Sequence, residues 1–454
     1  MADLTVTIQV PNGKKVELST GLFINNEVVK GSSSEKLTSI DPSTEAAICS
    51  VEVATASDVD AAVKAAPDLV EQHADELFAI QSMDVGKPYA FARLYESFHL
   101  VETLRYFAGW TDKILGQTIP VNKDKFAYTL RQPVGVCAAI LPWNYPLTNA
   151  GWKLGPALAT GNVIILKPSD RSSPERYGKD TGELLSTHLD IDKISFTGST
   201  ATGRRIIKAA AVNMKKTTIE AGGKSAFIVF DDADLEQAVK WAALGGFGNA
   251  GQICSANSRI LVQEGAEQKF LEIFSKIAKG TKVGSPFDES TQQGPQTSKM
   301  QYDKVLGYID IAKEQGAKVV TGGKALQVDG GKGYYIEPTI FSEVTSDMRI
   351  FQEEVFGPVL VVSTFKTEEE AIALANNSTY GLAAMVFTEN LSVAHRTAGK
   401  LQAGTVWINE SNQVDYKIAF GGVKQSGIGR ELGEHVVDAY LEDKVVHLNL
   451  GLKL

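Results

Sequence analysis

The sequence predicts an α/β fold in which parallel strands alternate with helices in a doubly wound sheet. Short apolar runs typical of buried strands occur at 134–141, 163–166 and 193–197. A helical pattern at 152–159 lies between the first two runs. Because parallel strands need a crossover connection, this order favours strand–helix–strand units over hairpins.

Around this central region the sequence predicts sheet first and helix next. The first residues contain strand patterns at 5–10 and 21–29, separated by a Pro-Asn-Gly turn that is typical of β-hairpins. A helical pattern follows at 56–83, and alternating residues at 106–131 predict a protruding two-stranded arm. A further helix at 234–244 leads into a glycine-rich run, after which a second α/β region follows.

The composition predicts a globular protein of more than one domain. The chain has 454 residues, of which 43% are hydrophobic, so it can bury more than one core. Its net charge of -9 gives no field that attracts nucleic acid or anionic lipid, so we expect neither nucleic-acid nor membrane partners. The first ten residues lack the basic and apolar regions of a signal peptide, and we expect a cytoplasmic location.

Three cysteines, Cys49, Cys137 and Cys254, are too widely spaced for a disulfide framework or a zinc site, and we expect no metal. Cys254 follows a glycine-rich turn in Gly-Gln-Ile-Cys-Ser (251–255), where open backbone can present a side chain. A lone cysteine is more often an inert small hydrophobe than a nucleophile. This fragment alone therefore favours the inert interpretation.

Three other fragments carry polar groups at positions suited to a ligand. Asn144 lies in Pro-Trp-Asn-Tyr-Pro (142–146), which closes a buried strand where open α/β sheets bind ligands. Glu220 ends a strand and precedes two glycines that let the backbone approach a ligand closely. Glu354 lies in Gln-Glu-Glu-Val-Phe-Gly-Pro (352–358). Taken singly, each has a plain alternative: a proline turn, an exposed strand-end carboxylate and an acidic turn.

Together these four fragments resemble the aldehyde dehydrogenase superfamily, and the resemblance covers nearly the whole chain. It points to the broad-specificity NAD-dependent cytosolic and mitochondrial branch of fungi and animals. Further matching fragments are Ile-Ile-Leu-Lys-Pro (164–168), Phe-Thr-Gly-Ser-Thr (196–200) and Phe-Gly-Gly-Val-Lys-Gln-Ser-Gly-Ile-Gly-Arg-Glu (420–431).

The resemblance implies three structural units. These are a Rossmann-like cofactor domain at 1–114 and 133–247, an α/β catalytic domain at 248–425, and a small β oligomerisation arm at 115–132 and 426–454. The site would lie between the two large domains. Since such arms pair across subunits in this family, we expect a homodimer or homotetramer.

The resemblance also implies catalytic roles. Cys254, as thiolate, would attack the carbon of a small-molecule aldehyde and pass through a thiohemiacetal to a thioester. Asn144, with the backbone N–H of Cys254, would hold the oxyanion. Glu220 would activate the water that hydrolyses the thioester to a carboxylic acid. Phe420 would lie near the substrate mouth.

The implied hydride acceptor is NAD. Lys167 and Asp170 would contact the adenosine ribose, and Ser199 with the helix after it would take the pyrophosphate. Glu354 would bind the nicotinamide ribose, with Phe356 packed nearby. NADP is less expected, because the Asp170 carboxylate repels a 2′-phosphate. Gln301 and Lys304 would be further ribose contacts, and the remaining implied cofactor residues are Trp143 and Gly198.

Two formal patterns are set aside. Gly-Phe-Gly-Asn-Ala-Gly (246–251) matches the dinucleotide fingerprint, but it follows a helical pattern rather than a strand. It is better interpreted as the turn that delivers Cys254. The six histidines show no ligand spacing, and nothing in the sequence supports a Cys/His hydrolase.

Two stretches are short relative to the family. One follows Ala66, and the other follows Asp170, where a helix and a strand of the cofactor-binding sheet are missing. We expect the second gap to leave an unpaired strand edge and a weakened cofactor site. The alternative functions are therefore a specialised semialdehyde dehydrogenase, an esterase that uses the Cys254 thioester route, or a cofactor-impaired, inactive family member.

Overall fold

A computed structural model describes residues 4–10, 13, 15–24, 27–41, 43–52, 74–169, 177–328 and 330–453. Three features of the sequence analysis lie outside these residues: the helical pattern at 56–73, the gap after Ala66 and the candidate ribose ligand Asp170.

A five-stranded sheet forms the first part of the molecule. Its strands, in spatial order, are Val163–Lys167, Val136–Ile140, Lys193–Gly198, Lys216–Ala221 and Gly427–Ile428. The first four run parallel, and the last pairs antiparallel with its neighbour. The predicted parallel α/β arrangement is confirmed.

Helices connect these strands and fix where ligand-facing residues lie. The connecting helices are Pro146–Ala159, Tyr177–Thr187 and Thr200–Ala210. The last of these begins at Ser199, whose side-chain oxygen accepts a hydrogen bond from the Thr202 N–H at 3.2 Å. Ile194, Phe196 and Ile206 are buried between helices and sheet. The carboxyl ends of the four parallel strands therefore meet at one edge, as such sheets require.

The strand Val163–Lys167 lies at the outer edge of this sheet among the described residues. Val163 at its start is 37% exposed. This position agrees with the open edge expected from the short stretch after Asp170.

A second sheet of seven strands forms the other large part. In spatial order its strands are Lys318–Thr321, Thr339–Ser342, Val359–Phe365, Arg259–Gln263, Ala226–Val229, Ala383–Phe387 and Thr405–Ile408. Neighbouring strands in this sheet are parallel, except for the first two, which are antiparallel. The strand Ala226–Val229 precedes Gly248, where the second domain was expected to begin, so this sheet starts earlier in the chain. Domain limits stay predictions.

The predicted arm is present but starts later than expected. A three-stranded antiparallel sheet contains Thr118–Asn122, Lys125–Pro133 and Leu441–Asn449. The residues from 106 onward were expected to belong to it, but Ser97–Ala108 is a helix that buries Leu100 and Phe107. Self-association through this arm stays a prediction.

The remaining elements surround the two sheets. The three N-terminal hairpins pair Thr5–Gln9 with Lys15–Ser19, Leu22–Ile24 with Glu27–Val29, and Lys36–Ile40 with Ala47–Glu52. The other helices are Ala74–Val85, Tyr89–Phe91, the π-helix Ala92–Glu96, Leu235–Phe247, Glu267–Gly280, Lys299–Glu314, Arg349–Gln352, Glu368–Asn376, Leu391–Lys400 and His435–Asp438. None of the described helices has the length and apolar character that crossing a lipid bilayer requires.

Two glycines let the helices Ser97–Ala108 and Pro146–Ala159 approach closely. A β-carbon on Gly151 would lie 2.8 Å from the Leu100 side chain, and one on Gly155 would lie 2.6 Å from the Phe107 ring. Because Phe107 is fully buried, its ring has little room to move.

We predict that Gly155→Ala lowers the free energy of unfolding by about 1–3 kcal/mol through overpacking. The matched control is Gly307→Ala in the exposed part of helix Lys299–Glu314, where a β-carbon would meet no atom within 4 Å. The control should gain about 0.5–1 kcal/mol, since alanine restricts the unfolded chain. Urea denaturation of both variants measures the difference, and equal shifts would contradict the close packing.

Candidate active site

A cavity of about 1100 Å³ lies between the two sheets, at the carboxyl ends of the parallel strands of the first sheet. Its wall brings together the predicted site residues that the structure describes: Trp143, Asn144, Lys167, Gly198, Ser199, Glu220, Cys254, Gln301, Lys304, Glu354, Phe356 and Phe420. The role of each stays a prediction at this point.

Cys254 and Glu220 both line this cavity, and they lie close enough for the charge of the Glu220 carboxylate to shift the pKa of the Cys254 thiol. Cys254 is partly exposed to the cavity, and Glu220 is 2% exposed. Burial raises the pKa of Glu220 to about 8. Burial, and then the nearby Glu220 carboxylate, raise the pKa of the Cys254 thiol well above its usual value. Cys254 therefore lies near a carboxyl group that can take its proton when that group is ionised.

The turn before Cys254 has an unusual backbone. Asn249, Ala250 and Gly251 all have positive φ, at 49°, 55° and 73°. A β-carbon on Gly251 would lie 2.0 Å from the carbonyl oxygen of Gly357, so this position admits only glycine. The fragment 246–251 begins in the last turn of the helix Leu235–Phe247, and its residues Gly248–Gly251 form the turn that precedes Cys254, as the sequence analysis interpreted it.

Asn144 is held at both ends. Its side-chain Nδ2 donates to the Gln252 carbonyl at 2.9 Å. The backbone carbonyl of Asn144 accepts from Lys87 Nζ at 3.0 Å and from Asn249 Nδ2 at 3.2 Å. A carboxamide nitrogen carries two N–H groups, so the hydrogen bond to Gln252 leaves the second for a ligand.

Two buried ion pairs near these residues were missed by the sequence analysis. Lys153 Nζ lies 2.6 Å from Glu431, whose carboxylate also accepts from Ser195 at 3.0 Å. Lys87 pairs with Glu96, and both side chains are fully buried. The only signal in the sequence is a charged residue within an apolar stretch, as in Trp-Lys-Leu at 152–154, and it does not identify the partner.

Glu354 lies against the glycines that follow Glu220. Its Oε1 accepts from the Gly223 N–H at 3.0 Å, and a β-carbon on Gly222 would lie 2.3 Å from its Oε2. Gln301 Nε2 donates to the Phe356 carbonyl at 2.7 Å, so that amide nitrogen supports the turn carrying Glu354. Gln301 was expected to contact a ribose, and the structure shows this supporting contact.

The far side of the cavity has the features that a dinucleotide needs. Lys167 ends an edge strand, and its Nζ donates to the Pro168 carbonyl at 2.9 Å. Ser199 caps the helix Thr200–Ala210, whose first N–H groups have no partner within the helix. A helix start, a lysine and a carboxylate over glycine backbone suit pyrophosphate and ribose groups, so the residues present fit NAD. Among the described residues, no cluster of histidine, cysteine or acidic side chains is placed to hold a metal ion.

Phe420 lies in the cavity wall rather than at an open mouth. It is 3% exposed and packs edge-on against Trp152, with ring centroids 5.3 Å apart. Phe356 packs in the same way against Trp143, at 5.2 Å. Further aromatic side chains in the wall are Phe91, Tyr95 and Tyr145. Much of the cavity therefore suits an apolar ligand.

Comparisons with known proteins agree with this arrangement. A sequence profile of the aldehyde dehydrogenase family matches residues 66–177 and 174–446. An aldehyde dehydrogenase of Emericella nidulans is 46% identical over 497 positions that cover 99% of each chain. Aldehyde dehydrogenase [NAD(P)+] 1 of Saccharomyces cerevisiae is 42% identical over the whole of both chains. The NAD+ complex structure of an aldehyde dehydrogenase from Bacillus cereus has a TM-score of 0.91 at 41% identity, covering 95% of this chain and 97% of that one.

Fold and relatives together define an oxidoreductase enzyme that acts on aldehydes. The chain belongs to the aldehyde dehydrogenase family. The Emericella alignment runs over more positions than this chain has residues, so the relative carries segments that are missing here. The profile match divides at 174–177, next to the short stretch predicted after Asp170.

We predict that iodoacetamide alkylates Cys254, whereas buried Cys137, whose pKa is about 12, stays unmodified in the folded protein. In Glu220→Gln the pH at which Cys254 becomes reactive should fall, because the carboxylate that raises its pKa is gone. Glu353→Gln, a partly exposed carboxyl paired with Arg349, is the control and should leave the profile unchanged. Mass spectrometry of tryptic peptides gives the rates; an unchanged pH profile in Glu220→Gln would show that the two side chains are not coupled.

Proposed function

We propose that this enzyme oxidises an aldehyde to a carboxylic acid, with NAD as the hydride acceptor and a thiohemiacetal and thioester on Cys254. The observation that carries the proposal is the placement of Cys254, Glu220 and Asn144 in the wall of one cavity, with Glu220 close enough to shift the pKa of the Cys254 thiol. A nucleophile, a base and an oxyanion donor are then present in one wall.

In the first step Glu220 takes the thiol proton and the Cys254 sulfur attacks the aldehyde carbon. The carbonyl oxygen becomes an oxyanion, which accepts from the second N–H of the Asn144 carboxamide and from the Cys254 backbone N–H. A single donor of this kind contributes about 3–4 kcal/mol to the transition state. Its removal is therefore expected to lower the rate more than the binding of substrate.

When bound, NAD supplies the acceptor for the hydride that leaves the tetrahedral carbon. The chain's own residues then complete the reaction. Glu220 first releases the thiol proton to solvent; it then removes a proton from water, the resulting hydroxide attacks the thioester, and the Cys254 sulfur leaves as the acid forms. Because the Glu220 pKa is about 8, the fraction of ionised base increases as the pH rises through that value.

Support for NAD comes from the cavity and from relatives. The Bacillus cereus neighbour is an NAD+ complex, and the yeast relative is named for both NAD and NADP. The preference for NAD over NADP rests on Asp170, whose carboxylate would accept from a 2′-hydroxyl and repel a 2′-phosphate. Lys167, Ser199 and Glu354 are the described residues that we assign to the cofactor.

The central test is a single-turnover experiment. With NAD and a short aliphatic aldehyde, Glu220→Gln should still form about one NADH per subunit in a burst, because the lowered pKa of Cys254 in this variant supplies thiolate without the base. It should then turn over roughly 10²–10⁴-fold more slowly, since hydrolysis lacks its base. Asn144→Ala should lower the burst rate itself, by about 10²–10³-fold. Stopped-flow absorbance separates the two phases.

Cys254→Ala should abolish both oxidation and ester hydrolysis, whereas Cys49→Ala, a cysteine outside the cavity wall, should preserve both. In the wild-type enzyme the slow phase should accelerate as the pH rises and level off above about 8. Retention of activity in Cys254→Ala would refute the assignment of the nucleophile. Ester hydrolysis without NADH formation would instead identify the esterase alternative.

We further predict that NAD binds saturably and more tightly than NADP, as measured by quenching of tryptophan fluorescence. Glu354→Gln should weaken NAD binding roughly tenfold, because a charged hydrogen-bond acceptor is lost. The neighbouring Glu353→Gln is the control and should bind NAD normally. Absence of saturation by NAD would support the cofactor-impaired alternative, and tighter binding of NADP would contradict the role of Asp170.

A further inference from the structure

A buried ion pair lies directly behind the residue that we assign as the oxyanion donor. Lys87 and Glu96 are in contact, and the side chains of both are fully buried. Lys87 Nζ also donates to the Asn144 carbonyl at 3.0 Å and lies 3.5 Å from the centre of the Tyr145 ring. The ammonium group therefore touches the backbone of the turn that carries Asn144.

Glu96 is fixed in turn by two uncharged donors. Gln81 Nε2 donates to its Oε1 at 2.6 Å, and Thr148 Oγ1 donates to its Oε2 at 3.0 Å. Gln81 lies on the helix Ala74–Val85, and Thr148 lies on the helix Pro146–Ala159. The network thus links these two helices to the turn that carries Asn144.

The backbone at Glu96 is also irregular. Ala92–Glu96 is a π-helix between two α-helical segments, and Glu96 is its last residue. A single π-helical turn inserts an extra residue into a helix and occurs often at functional sites, because it redirects the side chains that follow. Here it directs a carboxylate toward Lys87 in the interior.

Stability alone is a weak reason for such a pair. Removing two charges from water costs several kcal/mol per ion, and well-packed apolar residues in the same place are often as stable or more so. What an apolar pair cannot do is donate a hydrogen bond to the Asn144 carbonyl. The contact with Asn144 is therefore the part of this network that points to function.

We propose that Lys87 and Glu96 are positioning residues that hold the Asn144 carboxamide in the direction needed to stabilise the oxyanion. The inference rests on the proposed function of Asn144. Glu96 holds Lys87, and Lys87 with Asn249 holds the Asn144 carbonyl. The Asn144 side chain donates one N–H to the Gln252 carbonyl, and this contact fixes the direction in which its other N–H points.

Positioning of this kind has a large effect on rate. A displacement of about 1 Å from the productive geometry can lower the rate about 100-fold, although every group is still present. Loss of the Lys87 contact should therefore lower the rate of steps that form an oxyanion. It should have no direct effect on chemistry at Cys254 that forms none.

The test compares Lys87→Met, which keeps the length of the side chain, with the double variant Lys87→Met/Glu96→Gln, which leaves no unpaired buried charge. The double variant keeps the test informative if the single one fails to fold, because the carboxamide that replaces the Glu96 carboxylate can still accept from Gln81 through its oxygen and donate to the Thr148 hydroxyl through its nitrogen. Lys318→Met, from an exposed pair with Glu343, is the control and should behave as wild type.

We expect both Lys87 variants to lower kcat/KM for aldehyde oxidation and for hydrolysis of p-nitrophenyl acetate by about 10- to 100-fold. The rate of Cys254 alkylation by iodoacetamide should stay within about twofold of wild type, since that displacement forms no oxyanion. The dissociation constant for NAD should also stay within about twofold of wild type, because neither residue lies in the cavity wall.

The decisive experiment introduces the same double variant into an Asn144→Ala background. If Lys87 acts through Asn144, it should have no further effect there. A full additional loss in that background, or a parallel fall in alkylation rate, would show a merely structural role and overturn the proposal. If Asn144→Ala itself leaves the rates unchanged, the proposed function of Asn144 fails, which is a separate result.

Discussion

The hydrogen bond from the Asn144 carboxamide to the Gln252 carbonyl joins the two large parts of the active site. One partner follows a strand of the five-stranded sheet, and the other lies in the loop that enters the seven-stranded sheet. Gln252 is itself held, because its Oε1 accepts from the Thr297 N–H and its Nε2 donates to the Asn249 carbonyl, both at 3.0 Å. The distance between oxyanion donor and nucleophile is therefore fixed by a closed set of buried contacts rather than by either sheet alone.

Burial is the dominant influence on the reactive pair. It disfavours charge on both Cys254 and Glu220, so below about pH 8 the thiol and the carboxyl group are both mainly protonated. The same water-poor environment strengthens any hydrogen bond made to a developing negative charge. A site that holds its nucleophile protonated at rest is thus also one in which the Asn144 amide stabilises an oxyanion effectively.

The sequence predicted the parallel sheet well, because buried strands are marked by local apolar runs, and three of them appear where those runs are. It also grouped the residues of the cavity wall through family resemblance. It misplaced the start of the arm, since the helix around Leu100 and Phe107 shows its apolar face only once its packing partner is known. The ion pair of Lys153 with Glu431 spans 278 positions, and no local pattern encodes such a distant partner. Nor does an alanine at 250 signal the left-handed backbone that it adopts, because that conformation is imposed by its neighbours.

The pairing of Gly427–Ile428 with the strand that carries Glu220 has a consequence for biosynthesis. Four strands of the first sheet lie between Val136 and Ala221, yet its fifth strand, Gly427–Ile428, is translated much later. The arm closes in the same way, through Leu441–Asn449. During synthesis the strand that carries Glu220 lacks its antiparallel neighbour on one side. Strand pairing between residues so far apart in the sequence slows folding. Until Gly427–Ile428 has been synthesised, a nascent chain therefore cannot complete the sheet that carries Glu220.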